Sequence, residues 1–135
     1  MTPDVQELFD AAVAVQANAH APYSRFRVGA AIRSGSGRIF TGCNVENAAY
    51  PQGSCAEAGA ISAMVAAGER TIVEVLTVCD GELPSTCCGG CRQRIRELAA
   101  GDVVVRAAGT RGLWFSTTLA ELLPMSFGPE NLQVE

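Results

Sequence analysis

The sequence predicts an α/β fold, a three-layer α-β-α sandwich built around a five-stranded mixed sheet. Two observations support this prediction. Five segments have the composition of strands, and the helical segments alternate with the later ones along the chain. The connection between the last two strands is too short for a crossover helix, so these two strands are expected to pair antiparallel. A length of 135 residues suits one domain, and we predict a single domain over residues 1–135.

The first part of the chain predicts a helix, a hairpin and a loop. Apolar residues recur at helical spacing over residues 4–19. Strands are expected at 26–32 and 38–43, because a Ser-Gly-Ser-Gly turn at 34–37 separates two apolar segments. Residues 44–54 contain proline and glycine and form the loop that leads to the next helix.

The second part of the chain alternates helices and strands. A helix is expected over 55–67, which is rich in alanine and is followed by Gly68. A run of β-branched apolar residues at 72–79 predicts a buried strand. The remaining predicted elements are a helix at 88–99 ended by Gly101, strands at 103–107 and 113–116, a short helix at 117–122, and an irregular tail from 124 onward.

Composition and charge argue against several classes of function. Hydrophobic residues make up 48% of the chain and charged residues 18%, which is a globular composition. The formal net charge is −4 and lysine is absent, so we expect no nucleic-acid partner. The first sixteen residues lack the basic and apolar regions of a signal peptide, and no apolar run is long enough to cross a membrane. We therefore expect a cytoplasmic protein without a membrane partner.

The spacing of the cysteines predicts a metal site. Three of the six cysteines lie within residues 87–91, which suits a metal better than a disulfide framework. In the Cys-Gly-Gly-Cys segment, Cys88 and Cys91 stand at a predicted helix start, where two thiolates can face one centre. Cys55, at another predicted helix start, can supply a third sulfur. Three protein ligands leave the fourth tetrahedral position for water, as in a catalytic zinc site.

An acidic side chain follows one of these cysteines. Glu57 can carry a proton from zinc-activated water to a substrate and its leaving group. Because residues two apart on a regular helix do not share a face, Cys55 must then lie at the helix boundary. Three thiolates around zinc leave a charge of about −1. The two helix N-termini, each equivalent to roughly +0.5 charge, and Arg92 beside Cys91 are expected to offset it.

Five segments of the chain carry a family resemblance. They are residues 21–31, 42–48, 55–57, 88–93 and 121–129. Cys-Ala-Glu upstream of Cys-x-x-Cys is the zinc deaminase signature in its three-cysteine form. With the other segments, it resembles the small homotetrameric cytidine deaminases over nearly the whole chain. The resemblance implies a cytidine deaminase-like fold, one zinc per chain, and hydrolytic deamination of cytidine and deoxycytidine to uridine and deoxyuridine, with release of ammonia, in pyrimidine salvage.

The resemblance also implies a role for individual residues. It implies that Cys55, Cys88 and Cys91 bind zinc and that Glu57 is the proton shuttle. The implied nucleoside-binding residues are Asn44 and Glu46 at the ribose 3′-hydroxyl, Phe26 on the pyrimidine, the Ala56 backbone at the base, Tyr50 near a subunit junction, and Phe127 in a neighbouring subunit's pocket. The implied assembly is a homotetramer with shared active sites.

Two positions depart from the family pattern. Cys87 stands where proline is usual, and Ala58 stands where many relatives carry an arginine. Cys87 could compete with Cys88 for zinc or close the fourth position of a structural site, although Cys88 keeps the two-residue spacing. A non-catalytic zinc module, a polynucleotide deaminase and a deaminase of modified nucleosides such as blasticidin S share parts of the motif. The Asn-Val-Glu-Asn segment at 44–47 favours an ordinary ribose.

Overall fold

A five-stranded mixed sheet forms the middle of the fold. The computed structural model describes residues 1–132. The strands are β1 (Val28–Ser34), β2 (Ile39–Cys43), β3 (Ile72–Cys79), β4 (Ala99–Gly109) and β5 (Gly112–Thr118). Their spatial order is β2-β1-β3-β4-β5; β3 and β4 are parallel, and the other neighbouring strands are antiparallel. The predicted antiparallel pairing of the last two strands is confirmed.

Helices cover both faces of this sheet. They are α1 (Pro3–Gln16), α2 (Ala56–Ala66), α3 (Gly89–Leu98), α4 (Leu119–Leu122) and α5 (Pro129–Leu132), with a 3-10 turn at Tyr50–Gln52. On one face, Leu8 of α1 belongs to the same buried cluster as Leu76 of β3. On the other face, Met64, Ile95 and Leu119 from α2, α3 and α4 pack together with strand residues. The predicted three-layer sandwich is confirmed. Within residues 1–132, no helix is long and apolar enough to cross a membrane.

Two predicted boundaries are wrong because tertiary pairing overrides local signals. Gly101 does not end a helix: α3 ends at Leu98, and Ala99 already has an extended backbone (φ −131°, ψ 142°) and pairs with Ile72. At the start of β1, residues 26 and 27 are not in the strand. The Asn44 side chain bonds the carbonyl of Phe26 and the N–H of Val28, so a side chain replaces the strand partner there.

Three further differences concern helix ends. Helix α1 ends at Gln16 rather than at 19. Residues 117 and 118 belong to β5, and Thr118 caps α4 by accepting from the N–H of Glu121. The tail predicted to be irregular contains α5, which begins at a proline, as helices often do. Residues 133–135 of that tail lie outside the described residues.

A glycine sets the position of α2 on the sheet. A Cβ placed on Gly42 of β2 would lie 2.3 Å from the carbonyl oxygen of Ala56 and 2.4 Å from the N of Ala60. The backbones of β2 and α2 therefore approach more closely than any side chain at 42 permits. Because Cys55 is the residue just before α2, this contact also sets the position of Cys55.

Candidate active site

Three cysteine sulfurs converge where two helices begin. Cys55 and Cys88 are the residues immediately before α2 and α3, and both have extended backbones, with ψ of 156° and 167°. Cys91 lies in the first turn of α3 and is fully buried. The three Sγ atoms all lie within 4.8 Å of one another. The extended backbone places Cys55 at the helix boundary. Cys55 must lie there if its thiol and the Glu57 carboxyl group are to face the same point.

The cluster has the dimensions of a three-sulfur zinc site. Tetrahedral zinc with Zn–S bonds of about 2.3 Å separates two sulfurs by about 3.8 Å. The Sγ atoms of Cys55 and Cys88 are 3.8 Å apart. Burial raises the pKa of the Cys91 thiol, so this thiol keeps its proton until a cation displaces it. The donor set and its spacing therefore fit one zinc ion.

Cys87 is not part of the sulfur cluster. Its side chain is buried, and Thr86 Oγ1 lies 3.8 Å from its Sγ. Within the described part of the chain, the cluster has three members, so the four-ligand structural site that the sequence left open is not formed. A fourth tetrahedral position remains for a small molecule, as in catalytic zinc sites.

Glu57 lies beside the cluster in the first turn of α2 and is only 4% exposed. Burial raises the pKa of its carboxyl group, because the charged form is poorly solvated there. A carboxyl group with a raised pKa takes up and releases a proton more readily near neutral pH, as a proton shuttle must.

A cavity of about 350 Å³ opens in front of Glu57, Cys55 and Cys88. Its volume lies within the range of small-molecule sites. The predicted residues Phe26, Asn44, Glu46, Tyr50 and Ala56 also line it. The structure thus brings together residues from four separated segments of the sequence.

Hydrogen bonds fix the polar side chains at the cavity wall. Asn44 accepts from the N–H of Val28 (2.8 Å) and donates to the carbonyl of Phe26 (2.8 Å). The Glu46 carboxylate accepts from the N–H groups of residues 23 and 24, at 3.0 and 3.1 Å, and from the Ser24 hydroxyl. The bonds from Ser24 lower the pKa of Glu46, so this side chain remains ionised.

Phe127 is the one predicted binding residue that lies away from the cavity. Its side chain is 58% exposed, and its carbonyl accepts a hydrogen bond from Gln93 at 2.9 Å. Tyr50 lines the cavity but is 76% exposed, and its ring meets Tyr23 edge-on with centroids 6.0 Å apart.

Comparison with known proteins places these features in a family. The family model described as the cytidine and deoxycytidylate deaminase zinc-binding region matches residues 2–107. The chain belongs to this deaminase family. Its relatives include a cytidine deaminase of Sporosarcina psychrophila, 40% identical over 129 residues, covering 96% of this chain and 95% of that protein. A cytidine deaminase of Halalkalibacterium halodurans is 37% identical, and the match covers 96% of this chain and 98% of that protein.

Solved structures support the same family and fold. The crystal structure of cytidine deaminase from Burkholderia pseudomallei superposes on this deaminase with a TM-score of 0.86 at 39% identity, covering 94% of this chain and 100% of that one. The crystal structure of cytidine deaminase from Mycobacterium tuberculosis has a TM-score of 0.79 at 34% identity, and the match covers 93% of this chain and 98% of that one. The family and the sulfur cluster together identify the deaminase as a zinc enzyme.

The arginine that contacts the cluster is not the one expected from the sequence. The sequence pointed to Arg92, but its guanidinium donates to the carbonyls of Cys87 (3.0 Å) and Leu122 (2.9 Å). Arg94 instead donates from Nη1 to Cys91 Sγ at 3.4 Å. The signal that could have found it is the three-residue spacing from Cys91, which places both side chains on one helix face.

Thr77 is a second residue of the deaminase that the sequence did not reveal. It lines the same cavity from β3 and is 1% exposed. Within residues 1–132, its Oγ1 is the one buried side-chain nitrogen or oxygen without a hydrogen-bond partner. The alternation of β3 could have found it, because Thr77 shares a face with Val75, which packs against the α2 and α3 side.

Proposed function

We propose that this chain hydrolyses cytidine and deoxycytidine to uridine and deoxyuridine, with release of ammonia. One observation carries the proposal: a three-sulfur cluster and a buried carboxyl group share one nucleoside-sized cavity. Relatives 40% and 37% identical over 96% of the chain bear the name cytidine deaminase.

The residues around the cluster divide the chemistry between them. Bound by Cys55, Cys88 and Cys91, zinc would supply the Lewis acidity that makes water nucleophilic at neutral pH. Glu57 receives a proton from the water that adds to ring carbon 4 and delivers it to ring nitrogen 3. It then takes the remaining proton from the hydroxyl group on ring carbon 4 and delivers it to the departing amino group. The carbon–oxygen double bond forms as the carbon–nitrogen bond breaks, so that one water is consumed and one ammonia is released. Its burial keeps bulk water away from this transfer.

The substrate-binding roles follow the cavity wall. Phe26 packs against the pyrimidine ring. Asn44 and Glu46 hydrogen-bond the ribose 3′-hydroxyl with the donor and acceptor sites that their bonds to the protein backbone do not use. The N–H of Ala56 is at the first position of α2, where helix geometry provides no acceptor, and it is directed to the base.

The working unit that we propose is a homotetramer in which Phe127 completes a neighbour's site and Tyr50 lies near the subunit junction. Both aromatic side chains are largely exposed in the single chain, which supports this assembly. We place the enzyme in the cytoplasm, where reducing conditions keep the free thiols available for zinc, and in pyrimidine salvage.

A spectrophotometric assay beside a metal count tests the proposal. Purified protein is expected to contain one zinc per chain and to convert cytidine to uridine and deoxycytidine to deoxyuridine. The loss of ultraviolet absorbance measures the conversion. Blasticidin S serves as the comparison substrate, and we expect the unmodified nucleosides to react faster. A zinc-loaded protein that leaves both nucleosides unchanged would refute the proposal.

The role of Glu57 is tested by Glu57→Gln, which keeps the shape of the side chain and removes its proton transfer. We expect one zinc per chain and a fall in kcat of about 10²–10⁴-fold. The matched control is Glu97→Gln on the exposed face of α3, which should retain full activity. Normal turnover by the Glu57→Gln protein would exclude the shuttle.

A further inference from the structure

Three thiolates around Zn²⁺ leave the zinc-bound cluster with a formal charge of about −1. A cation held close to the sulfurs therefore stabilises the zinc-bound cluster. This reasoning rests on the zinc site of the proposed function.

One side chain supplies such a cation. Arg94 Nη1 lies 3.4 Å from Cys91 Sγ, which is a hydrogen-bond distance for sulfur. Among the hydrogen bonds of residues 1–132, this is the only one that joins a cationic group to a sulfur of the cluster. Ala58, next to Glu57, offers no charge from the α2 side.

The local backbone leaves room for this guanidinium. A Cβ on Gly90 would lie 3.3 Å from Arg94 Nη1, so the arginine folds back over the first turn of α3, where a larger residue would crowd it. The helix sets the spacing, because residues three apart on a helix are neighbours on its surface. Arg92, two residues earlier, points to main-chain carbonyls.

We propose that Arg94 is the positioning residue that compensates the charge of the zinc thiolates and so sets zinc affinity and turnover in this chain. It acts through Cys91 and does not touch the nucleoside. Its hydrogen bond withdraws electron density from one thiolate, which leaves the metal a stronger Lewis acid. Removing a group that hydrogen-bonds to a metal ligand typically lowers metal affinity or activity by about 10–100-fold.

The test compares Arg94→Gln and Arg94→Lys with the control Arg70→Gln. The control removes the same charge beyond the opposite end of α2, where Arg70 donates a hydrogen bond to the Val65 carbonyl. Zinc affinity is measured by competition with a chelator in the absence of substrate. We expect Arg94→Gln to bind zinc about 10–100-fold more weakly and to lower kcat with little change in KM. Arg94→Lys should recover part of both losses, and the control should match the wild type.

A spectroscopic readout separates this role from a general loss of stability. With Co²⁺ in place of zinc, the sulfur-to-metal charge-transfer bands of Arg94→Gln should shift to lower energy, because a thiolate without its hydrogen bond gives up an electron more easily. Unchanged bands together with unchanged zinc affinity would overturn the inference, even if the wild type deaminates cytidine. Conversely, weaker zinc binding by Arg94→Gln would sustain it even if cytidine is not the substrate.

Discussion

The residues that precede the helices differ according to what each helix does. Thr2 caps α1 by accepting from the N–H of Val5 at 3.3 Å, and Thr118 caps α4 in the same way. Cys55 and Cys88 occupy the corresponding positions before α2 and α3 and make no capping bond. A good cap stabilises a helix by about 1 kcal/mol, and α2 and α3 lack this stabilisation. In its place, the sulfurs that precede them and the two helix N-termini face one point.

Thr77 gives a prediction at this scale. Within the described residues, its buried hydroxyl has no hydrogen-bond partner, so replacing it with a methyl group removes no hydrogen bond. We expect Thr77→Val to leave the free energy of unfolding unchanged or to raise it by about 1 kcal/mol, measured by urea denaturation. A loss above about 1 kcal/mol would show that an ordered water already satisfies the hydroxyl.

The matched control is Thr77→Ser, which keeps the hydroxyl and removes the methyl group. Because Thr77 is buried, this change should cost about 1 kcal/mol through the lost methyl contact. If the hydroxyl is unpaired, Thr77→Ser therefore loses stability, whereas Thr77→Val does not.

Among the elements, the contact between α2 and β2 decides whether the sulfurs meet. Gly42→Ala would place a Cβ 2.3 Å from a backbone oxygen of α2, and backbone atoms cannot move aside as a flexible side chain can. We expect a loss of about 3 kcal/mol in the free energy of unfolding, with reduced zinc content as α2 shifts. Urea denaturation and metal analysis measure the two effects.

Gly35→Ala is the control for this prediction. A Cβ at 35 would lie 3.5 Å from Thr71, an ordinary contact, so this variant should change stability by less than about 0.5 kcal/mol. Equal stability of the Gly42→Ala and Gly35→Ala proteins would mean that the β2–α2 approach is not tight in solution.

The elements also show what the sequence could and could not predict. Periodicity and turn residues predicted the five strands and the helices α1 to α4, because these signals are local. The start of β4 at Ala99 was missed, because pairing with Ile72 comes from a segment more than twenty residues away. The position of the three sulfurs was predictable, because cysteine spacing constrains it. For Arg94, the three-residue spacing from Cys91 indicates only a shared helix face, and the contact with the sulfur also depends on the orientation of the side chain.

At the scale of the whole molecule, several large apolar side chains are exposed to solvent. Phe127 is 58% exposed, Tyr50 76% and Met125 fully exposed. Exposed large apolar side chains are typical of surfaces that pair with another protein, so we expect association between copies to bury them. This exposure is the structural counterpart of the proposed shared active sites.

Mixing two impaired variants tests whether the sites are shared. Phe127→Ala should lower kcat/KM by roughly thirtyfold, as expected for an interface anchor worth about 2 kcal/mol. Glu57→Gln should be nearly inactive for the separate reason given above. If Phe127 completes a neighbour's cavity, refolding equal amounts together creates sites that combine an intact Glu57 with an intact Phe127 from another chain. Random mixing should then recover about one quarter of the wild-type rate per chain.

Two measurements accompany the mixing experiment. Light scattering is expected to give four chains per particle for the wild type and for each variant. In the control mixture, Leu83→Ala, a change at another exposed apolar side chain, replaces Phe127→Ala. The active sites of Leu83→Ala stay complete, so the activity of this mixture should equal the sum of the two separate activities, without any gain on mixing. Absence of recovery in the Phe127→Ala mixture would show that Phe127 acts within its own chain, and an active monomer would remove the tetramer from the proposal.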